Sequence, residues 1–266
     1  MQTNTSFANS NQKMPALFVG HGSPMNAIED NEFSSAWIKA SQALPKPSAI
    51  LCVSAHWETR GTFVTAMERP KTIHDFGGFP RALYEYQYPA LGSPDLARLT
   101  QETASNVKIG LDQTWGLDHG TWSVLCRMFP NADIPVVQLS LDHFQPPEFH
   151  YALGKELRAL RNKGVLIVGS GNIVHNLGMV NFDDDQPYDW ASEFDETIKR
   201  LVLSGDHNSI VQYENLGRAA RLSIPTNEHY LPLLYTLALQ DKGEALRFFA
   251  DRVTFGSISM RSVWIG

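Results

Sequence analysis

Four short apolar runs limit the fold of this chain more than any other feature: ALFV at residues 16–19, AILCVSA at 49–55, IPVVQLSL at 134–141 and GVLIVGSG at 164–171. They are rich in β-branched side chains, too short for core helices, and closed by turn signals, so they read as buried strands. Amphipathic stretches lie between them. SPDLARLTQETASNV, from Ser93, opens with an N-cap serine and a proline at the first helical position. PPEFHYALGKELRALRNKG puts Phe149, Leu153, Leu157 and Leu160 on one face and ends at Gly164, and DWASEFDETIKRLVLSG carries a stripe of Trp190, Phe194, Leu201 and Val202. Strands alternating with helices predict an α/β fold with a mostly parallel or mixed central sheet and helices on both faces. The closing GSISMRSVWIG adds a strand of alternating character. No repeat, low-complexity tract or linker divides residues 15–266, which read as one domain behind a disordered polar tail at residues 1–14.

With 43% hydrophobic residues the chain can fill a sizeable core. Its 22 Lys+Arg against 28 Asp+Glu give a net charge of −6, and no basic run interrupts that balance, which argues against nucleic acid or an anionic membrane as partner. No window approaches the ~20 apolar residues of a membrane span, and the opening MQTNTSFANSNQK lacks the order of a secretory signal. Cys52 and Cys126 show no CxxC spacing and read as small core residues of a cytoplasmic protein.

The 9 histidines are unevenly placed. His21 follows the first apolar run inside GHGSP, His56 closes the second, and His175 comes shortly after the fourth, in GSGNIVHN. In an open α/β sheet, groups at the carboxyl ends of strands converge on one crevice, so three histidines in that position are expected to meet at an active site. His229, in NEHYLPLLY, sits just ahead of a helix that Pro232 opens and suits the rim of the same site. Imidazole is the commonest ligand of zinc and non-haem iron, and rigid strand ends can hold such a ring of nitrogens. His143, His150 and His207 lie in helix-flanking or polar contexts and read as ordinary hydrogen-bonded residues.

Two further segments have odd composition for connectors. TIHDFGGFPRALYEYQYPA, residues 72–90, carries His74, Asp75, Phe76, a Gly-Gly pair and Phe79, and reads as a long loop bordering the pocket, with aromatics on a flexible hinge. TWGLDHGTWSVL, residues 114–125, sets His119 among Trp115 and Trp122. Aromatics beside a metal suit a flat apolar ligand, which makes His74, Phe76 and Trp115 candidate substrate contacts, with Trp122 expected in the core.

GHGSPM, SAHWET, HDFGGFP, LDHGTW, GSGNIVHNL and EHYLPLLY, in that order from residue 15 to 266, resemble the extradiol aromatic-ring-opening dioxygenases of the 4,5-DOPA dioxygenase type, relatives of the catalytic subunit of protocatechuate 4,5-dioxygenase. Position by position, the resemblance implies that His21, His56 and His229 bind one divalent metal. It implies that His175 lies against the metal as acid/base or further ligand, and that His119 faces substrate and oxygen as a second catalytic histidine. The wider superfamily uses a glutamate as third ligand, and here Glu228 stands beside His229. Fe(II) is the metal expected for oxygenase chemistry, and Zn(II) also suits an all-histidine site.

The implied reaction opens the ring of a small catechol with O2 to a semialdehyde, while His175 and His119 move protons. Two alternatives come from other classes. LFVGHGSP also resembles the start of small chelatases that insert a metal into a tetrapyrrole, although HDFGGFP and EHYLPLLY speak against that reading. A member of the superfamily that keeps the cleft only for binding is the other, and its counter-argument is that all five histidines are retained.

Overall fold

The structure is a computed structural model that describes Phe7 and residues 13–266. Its ten strands are β1 (Ala16–Gly20), β2 (Ala49–Thr59), β3 (Thr62–Thr65), β4 (Ile109–Asp112), β5 (Val136–Asp142), β6 (Val165–Gly171), β7 (Leu246–Phe249), β8 (Val253–Thr254), β9 (Ile258–Ser259) and β10 (Ser262–Ile265). The helices are α1 (Glu32–Gln42), α2 (Arg81–Glu85), α3 (Pro94–Thr103), α4 (His119–Met128), α5 (Pro147–Leu157), α6 (Asp189–Ser204), α7 (His207–Val211), α8 (Arg218–Ser223) and α9 (Leu231–Ala238). Eight strands form one sheet in the order β4-β3-β5-β2-β6-β1-β10-β7, and β8 and β9 form a separate ribbon. The middle of the sheet, β5-β2-β6-β1, is parallel. Antiparallel pairings of β10 with β1 and of β3 with β5 flank it, which makes the sheet mixed.

Strand alternation splits the core into two layers. Phe18, Leu51 and Ile167 face one side, where α3 and α5 to α9 pack. Leu17, Ile50 and Leu166 face the other, where α1, α2 and α4 pack. Both layers are apolar, so the central strands are fully buried and show in the sequence as unbroken runs.

Several expectations are corrected. Residues 114–125 are not a connector throughout: Asp118 caps α4 by accepting from the Thr121 N–H, and the helix starts at His119. The 72–90 loop contains the short helix α2. The closing segment makes two strands, β9 and β10, rather than one. The expected tail lies outside the described residues except for Phe7, Lys13 and Met14, and those last two are held in place: Met14 is buried and Lys13 pairs with Glu244.

Candidate metal centre

β1 ends at Gly20, and the His21 N–H donates to the Gly171 carbonyl at the end of β6 (3.1 Å). One residue on, the Asn172 N–H donates to the His229 carbonyl (2.8 Å). The end of β6 thus fixes the backbones of both histidines. It can do so only because residue 171 is glycine, since a Cβ there would sit 2.1 Å from the His229 carbonyl oxygen. His56 lies inside β2, in the stretch between Val53 and Glu58 where the register against β5 shifts, so an irregular strand rather than a strand end aims it. His119 opens α4, and a Cβ on the following Gly120 would meet the His56 ring at 2.8 Å. His175 follows β6 through a single bridge to Ile258.

The five rings converge. The centroids of His21, His56 and His229 stand 5.0, 5.0 and 4.9 Å apart, nearly an equilateral triangle. His175 stacks on His229 at 3.4 Å, and His119 lies 3.9 Å from His56 but 5.7 Å from His21. The donor atoms of His21, His56 and His119 lie within 4.8 Å of one another, as do those of His175, Glu228 and His229.

Hydrogen bonds set the tautomers. Ser170 Oγ donates to the Gly120 carbonyl, so it accepts from His21 Nδ1 at 3.0 Å. Asn172 spends its amide N–H on the Ser259 carbonyl, so its oxygen accepts from His229 Nδ1 at 3.1 Å. His56 Nδ1 faces the Asp75 carboxylate at 3.6 Å. In each ring the proton belongs on Nδ1 and Nε2 keeps a free lone pair. His21 Nε2 and His56 Nε2 are 3.1 Å apart, and two lone pairs at that distance repel unless a cation lies between them. Around an ion with bonds of about 2.1 Å, neighbouring ligand nitrogens sit about 3.0–3.4 Å apart, so the residues fit a divalent metal. Burial, reinforced by the neighbouring imidazoles, holds His21, His56 and His229 well below the ordinary histidine value. All three are neutral and ready to ligate at pH 7.

The histidines line a cavity of about 970 Å³ with Asp75, Phe76, Gly77 and Phe79 on one side and Phe182, Phe255 and Met260 on another. Two candidate substrate contacts lie outside it. His74 turns away, its Nε2 2.9 Å from the Tyr86 carbonyl and its ring against Trp122, while the neighbouring Asp75 faces the cavity. Trp115 stacks on Trp57 at 5.6 Å, and Trp57 follows His56 on the reverse face of β2. Asp75, Ser170 and Asn172 went unnoticed as site residues. Ser170 and Asn172 stand two apart at the end of an apolar strand, a period-two signal that could have found them. A more open cleft of about 1120 Å³, lined by Glu58, His143 and Tyr213, shares Glu228 with the histidine cavity but none of the five histidines.

An α/β sheet carrying a buried, metal-competent histidine cluster in a largely apolar cavity has the make-up of a metal-dependent enzyme site. Residues 15–256 match the family described as the catalytic LigB subunit of aromatic ring-opening dioxygenase, and the chain belongs to that family. It is 50% identical over 262 residues to 4,5-DOPA dioxygenase extradiol of Escherichia coli K12, covering 97% of this chain and 96% of the relative. To the enzyme of the same name from Beta vulgaris it is 39% identical, over 82% of this chain and 83% of that one. The crystal structure of an uncharacterized Escherichia coli K12 protein superposes with a TM-score of 0.84 at 45% identity, over 96% of this chain and 100% of the other. The chain is an extradiol ring-cleaving dioxygenase, an oxidoreductase, and both the chelatase and the binding-only alternatives are set aside.

Proposed function

We propose that this enzyme opens a small catechol of the DOPA type beside its diol with O2, using one Fe(II) held by His21, His56 and His229. The observation that carries the reading is the even triangle of those three rings, with Nδ1 of His21 and His229 hydrogen-bonded and Nδ1 of His56 facing the Asp75 carboxylate. His119 stands unevenly, close to His56 and far from His21, and is left for proton chemistry. Glu228 lies beside both His175 and His229, and in this reading His229, whose ring completes the triangle with His21 and His56, is the third ligand.

When bound, the ion supplies positive charge that acidifies the catechol hydroxyls and, as Fe(II), a redox capacity that zinc lacks. Burial first, and the neighbouring His119 next, push His175 down to about 4. It is therefore neutral at pH 7, and its role is to accept a hydroxyl proton at a ring nitrogen. His119 lines the same cavity and is the second proton carrier in this reading. Phe76 and Phe79 pack edge to face at 5.3 Å, and Phe76 lies 5.6 Å from His119, a cover that keeps water from the reacting ring. Gly77 and Gly78 have nothing within 4 Å of an added Cβ, which leaves this cover room to move.

Free, buried Cys52 and Cys126 suit a reducing cytoplasm, and no helix among the described residues is long and apolar enough to cross a membrane. The test is oxygen uptake by protein loaded with Fe(II) or with Zn(II), against L-DOPA, dopamine, 4-methylcatechol and protocatechuate. Uptake with a yellow product in the Fe(II) form alone is the expected result; activity that is equal in the Zn(II) form would remove Fe(II) from the account.

A further inference from the structure

Among the described residues, Asp75 is the carboxylate that forms ion-pair contacts with two of the clustered imidazoles. Its Oδ2 lies 3.0 Å from His119 Nδ1 and 3.6 Å from His56 Nδ1, and its Oδ1 accepts the His119 backbone N–H at 2.9 Å. His119 Nδ1 is sealed from solvent and makes no regular hydrogen bond among the described residues, the Asp75 oxygen lying at contact distance but off the line of the ring N–H. A buried ring nitrogen in that position needs a proton to share with the carboxylate, since two acceptors facing each other at 3.0 Å would repel. Nε2 is then left as an open acceptor on the cavity wall that His119 helps form. His175, by contrast, forms no ion pair with a carboxylate among the described residues and rests on the face of His229.

We propose that Asp75 is a positioning residue which fixes His119 in the Nδ1–H tautomer, so that Nε2 accepts a proton or hydrogen bond from the substrate diol, and which at the same time orients the ligand His56. The inference rests on the ring-cleavage reading for what His119 does, but not for how Asp75 holds it. Carboxylate–imidazole pairs of this kind set tautomer and ring orientation in metal sites and in hydrolases alike. The bond from Oδ1 to the first residue of α4 adds rigidity, because the carboxylate grips both the backbone and the ring of one residue. Asp75 also begins the Phe76–Phe79 cover, so the anchor that sets the proton on His119 sets where the cover hinges.

The test uses full-length metal-free protein with 15N-labelled histidine, the His119 signals being assigned by their loss in His119→Gln. In the unmodified protein His119 is expected as the Nδ1–H tautomer; finding the proton on Nε2 would overturn the proposal whatever any variant does. Asp75→Asn keeps the shape but turns a donor toward Nδ1, and is expected to move the proton to Nε2. With Fe(II) restored, kcat should then fall on the order of 10²–10⁴-fold with little change in KM. A fall in kcat fully explained by lost metal, with the His119 tautomer unmoved, would reduce Asp75 to a support for the metal site and contradict the proposal. The tautomer is read without turnover, so failure of the unmodified enzyme to cleave any catechol would count against the reaction and leave the role of Asp75 to the spectra.

Discussion

The two ends of β1 bury polar groups in opposite ways. At its start, Arg161 is wholly buried, and its guanidinium donates to the carbonyls of Met14 (2.7 Å), Leu239 (2.7 Å) and Ile265 (3.3 Å) and to both oxygens of Glu244 (2.8 and 2.6 Å). Every donor of the fork has an acceptor. At the far end, past Gly20, the buried rings of His21 and His229 each engage one nitrogen and leave the other open. A buried polar group that serves stability is saturated, because an unmet donor or acceptor costs about 1–3 kcal/mol. Lone pairs left converging on one point are the mark of a site that expects a ligand, and the cost is recovered when the ligand binds.

That contrast can be broken by substitutions at either end. The largest effect is expected from His175→Ala: ring-cleavage rate falls on the order of 10²–10⁴-fold while metal content stays near that of the parent protein, measured on one preparation. If metal is lost in step with activity, His175 is a ligand instead. Next comes Arg161→Ala, which leaves three buried carbonyls short of a donor and Glu244 with Lys13 as its remaining cationic partner, and is expected to cost about 3–5 kcal/mol in urea denaturation, with activity per folded molecule unchanged. A loss of specific activity in that variant would mean that the two ends are not independent.

The smallest effect is a separation in pH. Burial and then His119 lower His175 from 6.5 to about 4, and burial lowers His150, which lies 3.1 Å from the Tyr235 hydroxyl, to about 4. A histidine with a depressed folded value favours unfolding once the unfolded chain takes up protons, so metal-free protein should lose stability as pH falls from about 6.5 toward 4. Glu244 behaves differently: burial raises it, but Arg161 and Lys13 outweigh that and hold it at about 2 against an ordinary 4.5. Its contribution is complete above 4.5 and is lost only as pH falls from 4.5 to about 2. Thermal unfolding at stepped pH should show two declines, and bound metal should shift only the upper one. A single decline below pH 4.5 would contradict the assignment of neutral histidines to the upper window.

The same contrast explains what the sequence showed and what it hid. β1, β2, β5 and β6 were legible because both their faces are buried and their apolar runs are unbroken. β3 and β4 were not, being four residues each near the sheet's edge, with Leu111 41% exposed. α1 hid because its buried face is only Phe33, Ser34, Trp37 and Ala40, although Asn31 and Ser34 form a capping box. Of the site, His21, His175 and His229 were legible from their place after strands or before a helix. Asp75 was not, because an irregular loop has no period to say that residue 75 faces in while His74 faces out.

The central claim is that three Nε2 atoms were left open for one ion. Anaerobic crystals of the Fe(II)-loaded protein, with anomalous scattering at the iron edge, test it most directly. One iron bound by Nε2 of His21, His56 and His229 at about 2.0–2.2 Å, with His119 Nδ1 still on Asp75, is the predicted result. Iron bound through an Nδ1, or held by His119 or Glu228 with His229 free, would contradict it.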